Sequence, residues 1–482
     1  EIGSGLVGSE MCIRDSNKTM KIFKNFIGLA ALALCLGFAS CSSDDDAPSY
    51  SNVAVSNSEL MTILKAKGYQ FDENGKMLLD DKANSTTSLD LSGTKVDTAA
   101  LKELSVFPNL KALNLSNNGY GPVFHIASLP SQITGLDLQG NDIYDFDGLV
   151  TAKVENDEVK ATILHEFTKL YLPASCKYNV EDLMPFYTQN EAENKTVDMQ
   201  MVNDKGSLEK YNTLREIPDT YFAAYLKNLF ASIFVDDTHI DISKPLGILE
   251  KGTNINLWAP LQYEDIDKIQ SIRGVEYFVN NPFYEDFFVS IGYGKTNFDV
   301  KGLMPRNNIS QLSLINTGID YLDLSQSTKM SNLQLSNNDL ETLDLSNTLI
   351  ANQKLDNFTT VGNIFVCYSC KNLKEIKFHK DGDGIVSKLQ LCDLPSLKTV
   401  DLSSIHAFAS LYVILDNAED VIYPNFEKIY RNGELVDFSS GRTAMFGISE
   451  NVYNLNSTKE FIKKYSNNLR NSSPTGFKGY KW

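Results

Sequence analysis

Residues 333–347 read Leu-Gln-Leu-Ser-Asn-Asn-Asp-Leu-Glu-Thr-Leu-Asp-Leu-Ser-Asn. Leucines alternate with polar residues in two short runs, Leu333-Gln-Leu335 and Leu343-Asp-Leu345, each closed by Ser and Asn. Alternation at period two sends the leucines to one face of a strand and the polar residues to the other. The asparagines fall where the chain must turn, and an amide there can satisfy backbone groups that a strand ladder cannot reach.

The same unit recurs on both sides of this stretch. It appears as Leu89-Asp-Leu-Ser-Gly, Leu113-Asn-Leu-Ser-Asn-Asn118, Leu136-Asp-Leu-Gln-Gly-Asn141, Leu312-Ser-Leu-Ile-Asn316, Leu322-Asp-Leu-Ser, Leu389-Gln-Leu-Cys and Val400-Asp-Leu-Ser. The steps from Leu89 to Leu113 to Leu136 are 24 and 23 residues, and that from Leu312 to Leu333 is 21. This spacing is the leucine-rich repeat signature. It predicts an α/β repeat solenoid of two leucine-rich repeat arrays, residues 58–192 and 211–440, each with a helical N-terminal cap. The polar, leucine-poor residues 193–210 are read as a short linker.

The caps are read from helical periodicity. Glu59-Leu-Met-Thr-Ile-Leu-Lys65 opens the first array, and Ile217-Pro-Asp219-Thr-Tyr-Phe222-Ala-Ala-Tyr225-Leu226 the second, with Pro218 and Asp219 as helix-start residues. Residues 441–482 read as a C-terminal helix, Thr458 to Tyr465, and a tail. The cap motif, with Ile240-Asp-Ile-Ser243 and Ser271-Ile-Arg-Gly-Val-Glu-Tyr-Phe278, resembles the first repeat of internalin-like leucine-rich repeat surface lipoproteins of the Bacteroidota. That resemblance implies adhesion or ligand recognition and names no ligand. An aromatic stretch, Phe283-Tyr-Glu-Asp-Phe-Phe288, interrupts the repeats between Asn280 and Asn308.

The N-terminus addresses the protein. Residues 1–19 resemble translated sequencing-adapter DNA, which makes Met20 the start. Residues 20–40 read as a lipoprotein signal peptide, with Lys21 and Lys24 before the apolar run Phe26 to Ala39. Phe38-Ala-Ser-Cys41 resembles a lipobox, so Cys41 is the expected lipidation site. The acidic Ser42 to Asp46, within a disordered tether spanning 41–57, resembles the tag that sends such lipoproteins to the outer face of the outer membrane. The expected location is therefore the outer membrane, lipid-anchored and facing the cell exterior.

The chain carries a formal net charge of −17. Phosphate binding needs a basic face, so nucleic acid is excluded as a partner. No phosphate loop, His-Glu-x-x-His or Gly-x-Ser-x-Gly motif occurs, and the five histidines are scattered. The expectation is a non-catalytic protein without cofactor or metal. Cys367-Tyr-Ser-Cys370 has redox spacing but no second pair, and it reads as core filling with Cys176 and Cys392. Asp381-Gly-Asp-Gly384 lacks the rest of a calcium loop and reads as a turn.

The function expected is cell-surface binding or adhesion, with an extracellular protein as partner. The alternative is polysaccharide capture for nutrient uptake, which would prefer exposed Trp and Tyr platforms. The candidate site is a concave polar ladder of Gln311, Ser313, Tyr321, Asp323, Ser325, Asn332, Gln334, Ser336, Thr342, Asp344 and Ser346. Its counterpart in the first array is Ser88, Asp90, Asn114, Ser116, Asp137 and Gln139. The same Asp and Ser residues would equally serve to keep an exposed sheet soluble.

Overall fold

The computed structural model describes residues 48–482 apart from 157, 245–253, 259–262, 285–286, 293–301, 353–362, 381–383, 427, 432–433, 438–440 and 442. The signal peptide, Cys41 and the acidic tag lie outside the described residues, as do Asp381 and Asp383. Ser49–Trp482 form one compact unit.

Runs of three to ten residues with apolar side chains at period two give strands, and the strands pair in order of sequence. In the first half β1 (Ser88–Asp90), β2 (Ala112–Asn114), β3 (Gly135–Asp137), β4 (Lys169–Leu172) and β5 (Asp198–Val202) lie parallel, and β6 (Leu208–Lys210) closes the sheet antiparallel to β5. Leu89, Leu113, Leu136, Leu170 and Met199 stand side by side across it. All five enter one apolar cluster with Leu60 and Leu64 of the helix Ser58–Ala66.

The second half builds an eleven-stranded sheet on the same plan. Its parallel strands are β7 (Ile255–Leu257), β8 (Phe287–Ile291), β9 (Ile309–Ile315), β10 (Asn332–Ser336), β11 (Ile364–Tyr368), β12 (Gly384–Cys392) and β13 (Ile405–Ile414). Along its length β13 then pairs first with β14 (Lys428–Arg431), which turns back as β15 (Glu434–Asp437), and then with β16 (Ala444–Ile448), which carries β17 (Leu469–Asn471).

Seven of these strands, β1 to β3 and β9 to β12, end at a residue in the left-handed region. Gly93, Asn117, Gly140, Asn316, Asn337, Ser369 and Asp393 occupy equivalent places with φ between 50° and 68°. Gly, Asn and Asp tolerate that conformation, which accounts for the paired Gly-Asn and Asn-Asn of the sequence. The residue that follows turns inward and serves the backbone. Asn118 Nδ2 donates to Leu91 O (3.1 Å) and Leu115 O (2.9 Å), while its Oδ1 accepts from Lys95 N at 2.7 Å. Asn141 repeats this toward Leu115 O (3.0 Å) and Leu138 O (2.8 Å), and Asn338 donates to Leu314 O at 2.9 Å.

The expected fold class needs correction. Strands dominate, arranged in the two large sheets and six two-stranded ones, and no α-helix among the described residues exceeds ten residues. The intervals of about two dozen residues are spent on further short strands, 3-10 turns and bends, so no helix alternates with the strands as an α/β class requires. The helices foreseen as caps are present as Ser58–Ala66 and Thr220–Leu229, the latter started by Asp219, whose Oδ1 accepts from Tyr221 N and Phe222 N at 3.0 Å. They do not mark two arrays held apart by a linker. Residues 193–210 contain β5 and β6, whose inward residue is Met199 rather than leucine.

Candidate binding surface

The predicted ladder divides between different sheets. Gln311, Ser313, Asn332, Gln334 and Ser336 lie on β9 and β10, alternating with the inward Leu312, Leu314, Leu333 and Leu335. Thr342 and Asp344 belong to a separate two-stranded sheet, Thr342–Asp344 with Glu375–Lys377, and Leu322 forms only an isolated bridge with Leu303. Tyr321, Asp323, Ser325, Thr342, Asp344 and Ser346 are therefore not on the face that carries Gln311 and Asn332.

The recurring Asp has a local cause. Asp323 Oδ1 accepts from Ser325 N (2.8 Å), and Asp344 Oδ1 from Ser346 N (2.9 Å) and Ser346 Oγ (2.5 Å). Identical turns join Asp90 to Ser92, Asn114 to Ser116, Asp137 to Gln139, Asp241 to Ser243 and Asp401 to Ser403, at 2.9 to 3.1 Å. A short side chain that accepts from the amide two residues on builds a turn. The Asp-x-Ser pattern is thus turn chemistry in both halves, Asp90 of the first-array ladder included.

Register reveals the rows that the sequence could not. The outward face of the long sheet carries Gln311, Asn332, Ile364, Lys388, Ser410 and Met445 in one row. Beside it run Asn256, Ser290, Ser313, Gln334, Val366, Gln390, Tyr412 and Gly447. A third row holds Ile315, Ser336, Tyr368, Cys392 and Ile414. In a chain with 61 acidic residues, the charged side chains that the described residues place in these three rows are Lys388 and, where the first row continues past Met445, Arg470, both basic. Val366, Gln390 and Tyr412 are each 5% exposed, yet Val366 and Tyr412 stand outside the apolar core.

Both ends of this face are aromatic. Trp258, 38% exposed, lays its ring over Gly292 and donates from Nε1 to Ser290 Oγ. At the other end Phe477 of the C-terminal tail meets Tyr368 edge-on at 5.6 Å, and Tyr412 Oη donates to Met445 Sδ at 3.4 Å.

Two clefts lie where the halves of the chain join. Tyr277, Tyr178, Tyr144 and Tyr321 stack in sequence, with ring centroids 5.8, 6.3 and 5.8 Å apart. One cleft, of about 440 Å³, is lined by Tyr120, Asp142, Tyr144, Asp320 and Tyr321. The other, of about 390 Å³, takes in Lys177, Tyr178, Arg215, Arg273 and Tyr277. Burial pushes the Tyr144 hydroxyl up to about 12, and Asp142 and Asp320 add to the effect. The buried Arg215 guanidinium is engaged by Lys177 O, Asn212 O, Leu214 O and Tyr211 Oη.

Among the described residues, no group of three or more His, Cys, Asp or Glu is placed to hold a metal ion. His125 pairs with Asp147 and His239 with Asp236, each at 3.0 Å and on the surface, while His165 reaches Ile133 O at 2.7 Å. Cys176, Cys367, Cys370 and Cys392 are buried free thiols. No described helix is long and apolar enough to cross a membrane. Comparison with protein-family models, with curated proteins and with solved structures gave no match in any of the three.

Proposed function

We propose that this is an exported, lipid-anchored binding protein that recognises an extracellular protein through the outward face of its long sheet. The observation that carries this reading is the absence of acidic side chains from the three rows of that face in so acidic a chain. Protein interface cores are depleted in charge and enriched in aromatic residues and Met, and Trp258, Tyr368, Tyr412 and Met445 stand on or beside these rows. The signal sequence and Cys41 support display outside the cell. The scattered histidines and the engaged cations of the clefts favour binding over catalysis.

One observation favours the polysaccharide alternative: Trp258 offers an exposed ring beside Ser290, in the row that also carries the amide of Asn256. A panel of envelope and host-surface proteins, set beside a glycan array, separates the two. Capture of a protein that is lost in Val366→Glu supports the main reading. Glycan binding that is lost in Trp258→Ala, with no protein captured, replaces it.

A further inference from the structure

The pair Cys367 and Cys370 flanks a left-handed turn at a strand end, and both side chains enter the same apolar cluster. In earlier coils that place is filled by Leu115 with Asn118 and by Leu138 with Asn141. There the asparagine amide reaches the carbonyl of the residue three before it, at 2.9 and 2.8 Å. The chain folds back at this point because the residue between is left-handed, Asn117 or Gly140 in those coils and Ser369, with φ 54°, in this one. A thiol cannot reproduce the amide's set of strong bonds, being a weak donor and a weak acceptor. What two thiols at this spacing can form instead is a covalent link.

The surroundings fit that link. Both thiols are fully buried in one apolar cluster, and the Cys370 thiol donates to Tyr368 O at 3.7 Å. The neighbouring Cys367 thiol foremost, with the backbone N–H groups of Asn338 and Asn337, holds the Cys370 thiol below its ordinary range. Rival pairings face elsewhere: Cys392 stands on the adjacent strand opposite Tyr368, on the other side of the sheet from the apolar cluster that holds Cys367 and Cys370, and Cys176 lies in the other apolar cluster.

We infer that Cys367 and Cys370 close a cystine as this coil folds, by exchange with a disulfide-bearing oxidant outside the cytoplasm. The inference rests on the export reading for the compartment, since disulfides persist in oxidising environments. The Cys370 thiolate attacks one sulfur of the oxidant's disulfide and releases the first thiol. The Cys367 thiolate then attacks the Cys370 sulfur of the mixed disulfide and releases the second. Two protein thiols lose two hydrogens, and one external disulfide becomes two thiols. Tyr368 lies between the two cysteines, so the link fixes a residue of the outward face.

The test is to refold the reduced full chain in a buffer of reduced and oxidised glutathione, denature it, alkylate it and map the peptides. The expected result is a peptide carrying Cys367 and Cys370 that is two hydrogens lighter and unalkylated, with Cys176 and Cys392 alkylated. Alkylation of all four, or a cystine that includes Cys392 or Cys176, overturns the inference. The same mapping on chain isolated from cell envelopes separates the two claims. A cystine formed in the glutathione buffer but absent from that material would remove the export reading and leave the pairing standing.

Discussion

Arg306, from the second half of the chain, places Nη2 3.2 Å from Asp145 Oδ1 and Nε 2.7 Å from Glu181 Oε2, both in the first half. The guanidinium is only 4% exposed, and Asp182 adds a third carboxylate nearby. Removing one partner of a buried pair leaves the other charge uncompensated. Arg306→Ala should therefore destabilise the protein by about 3–5 kcal/mol. Because Tyr144, Tyr178, Tyr277 and Tyr321 stack across the same junction, calorimetry should show one transition moving as a whole. Two transitions, with only one of them shifted, would mean that the halves fold independently.

Glu276 supplies a pH dependence. It is fully buried and accepts from Gly274 N at 2.6 Å, and burial raises its carboxyl from 4.5 to about 7. A carboxyl raised on folding binds its proton more tightly in the folded state, so its stabilisation is complete below about 4.5 and is lost as pH rises to about 7. The shift corresponds to about 3 kcal/mol. Denaturant unfolding from pH 4.5 to 8 should show this decline, and Glu276→Gln should flatten it. An unchanged slope in Glu276→Gln would assign the decline to Asp182 and Glu181, whose carboxyls burial also raises.

The Asp-x-Ser turns have measurable worth. Asp344→Ala removes the acceptor for Ser346 N and Oγ and should cost about 1 kcal/mol, whereas Asp344→Asn, which keeps an acceptor oxygen, should cost clearly less. Equal loss in both variants would mean that the carboxylate charge matters, not the turn.

Leu335 lies fully buried between Leu314 and Cys367 in the inward ladder. Leu335→Ala should lower stability by about 2–5 kcal/mol through the cavity it leaves, with no direct effect on the outward face. A cost below about 1 kcal/mol would show a core that collapses to fill the space.

The strands themselves were legible, because alternating leucines and a closing Asn encode both the inward ladder and the turn that ends it. Sheet membership was not. Leu343-Asp-Leu345 and Leu333-Gln-Leu335 look alike, and what separates them is the left-handed Asn337 and inward Asn338 that follow the second. Residues 193–210 read as a linker because Met199 does leucine's work there. The junction was invisible to local pattern, since Arg306 meets Asp145 and Tyr321 meets Tyr144 only once the chain has folded. Of the face proposed for binding, the sequence pattern named Gln311, Ser313, Asn332, Gln334 and Ser336, whereas Val366, Gln390 and Tyr412 emerge only from strand register.

The most direct measurement of the central claim is the affinity of a captured partner for single-charge variants, each checked for an unchanged melting temperature. Gln334→Glu, Val366→Glu and Gln390→Glu would be compared with Lys377→Glu on the separate small sheet. Charge placed in an interface core should weaken binding by about 2 kcal/mol or more, roughly thirtyfold, for the first three and leave the fourth near wild type. Full affinity in all three face variants, with binding lost in Lys377→Glu, would contradict the account.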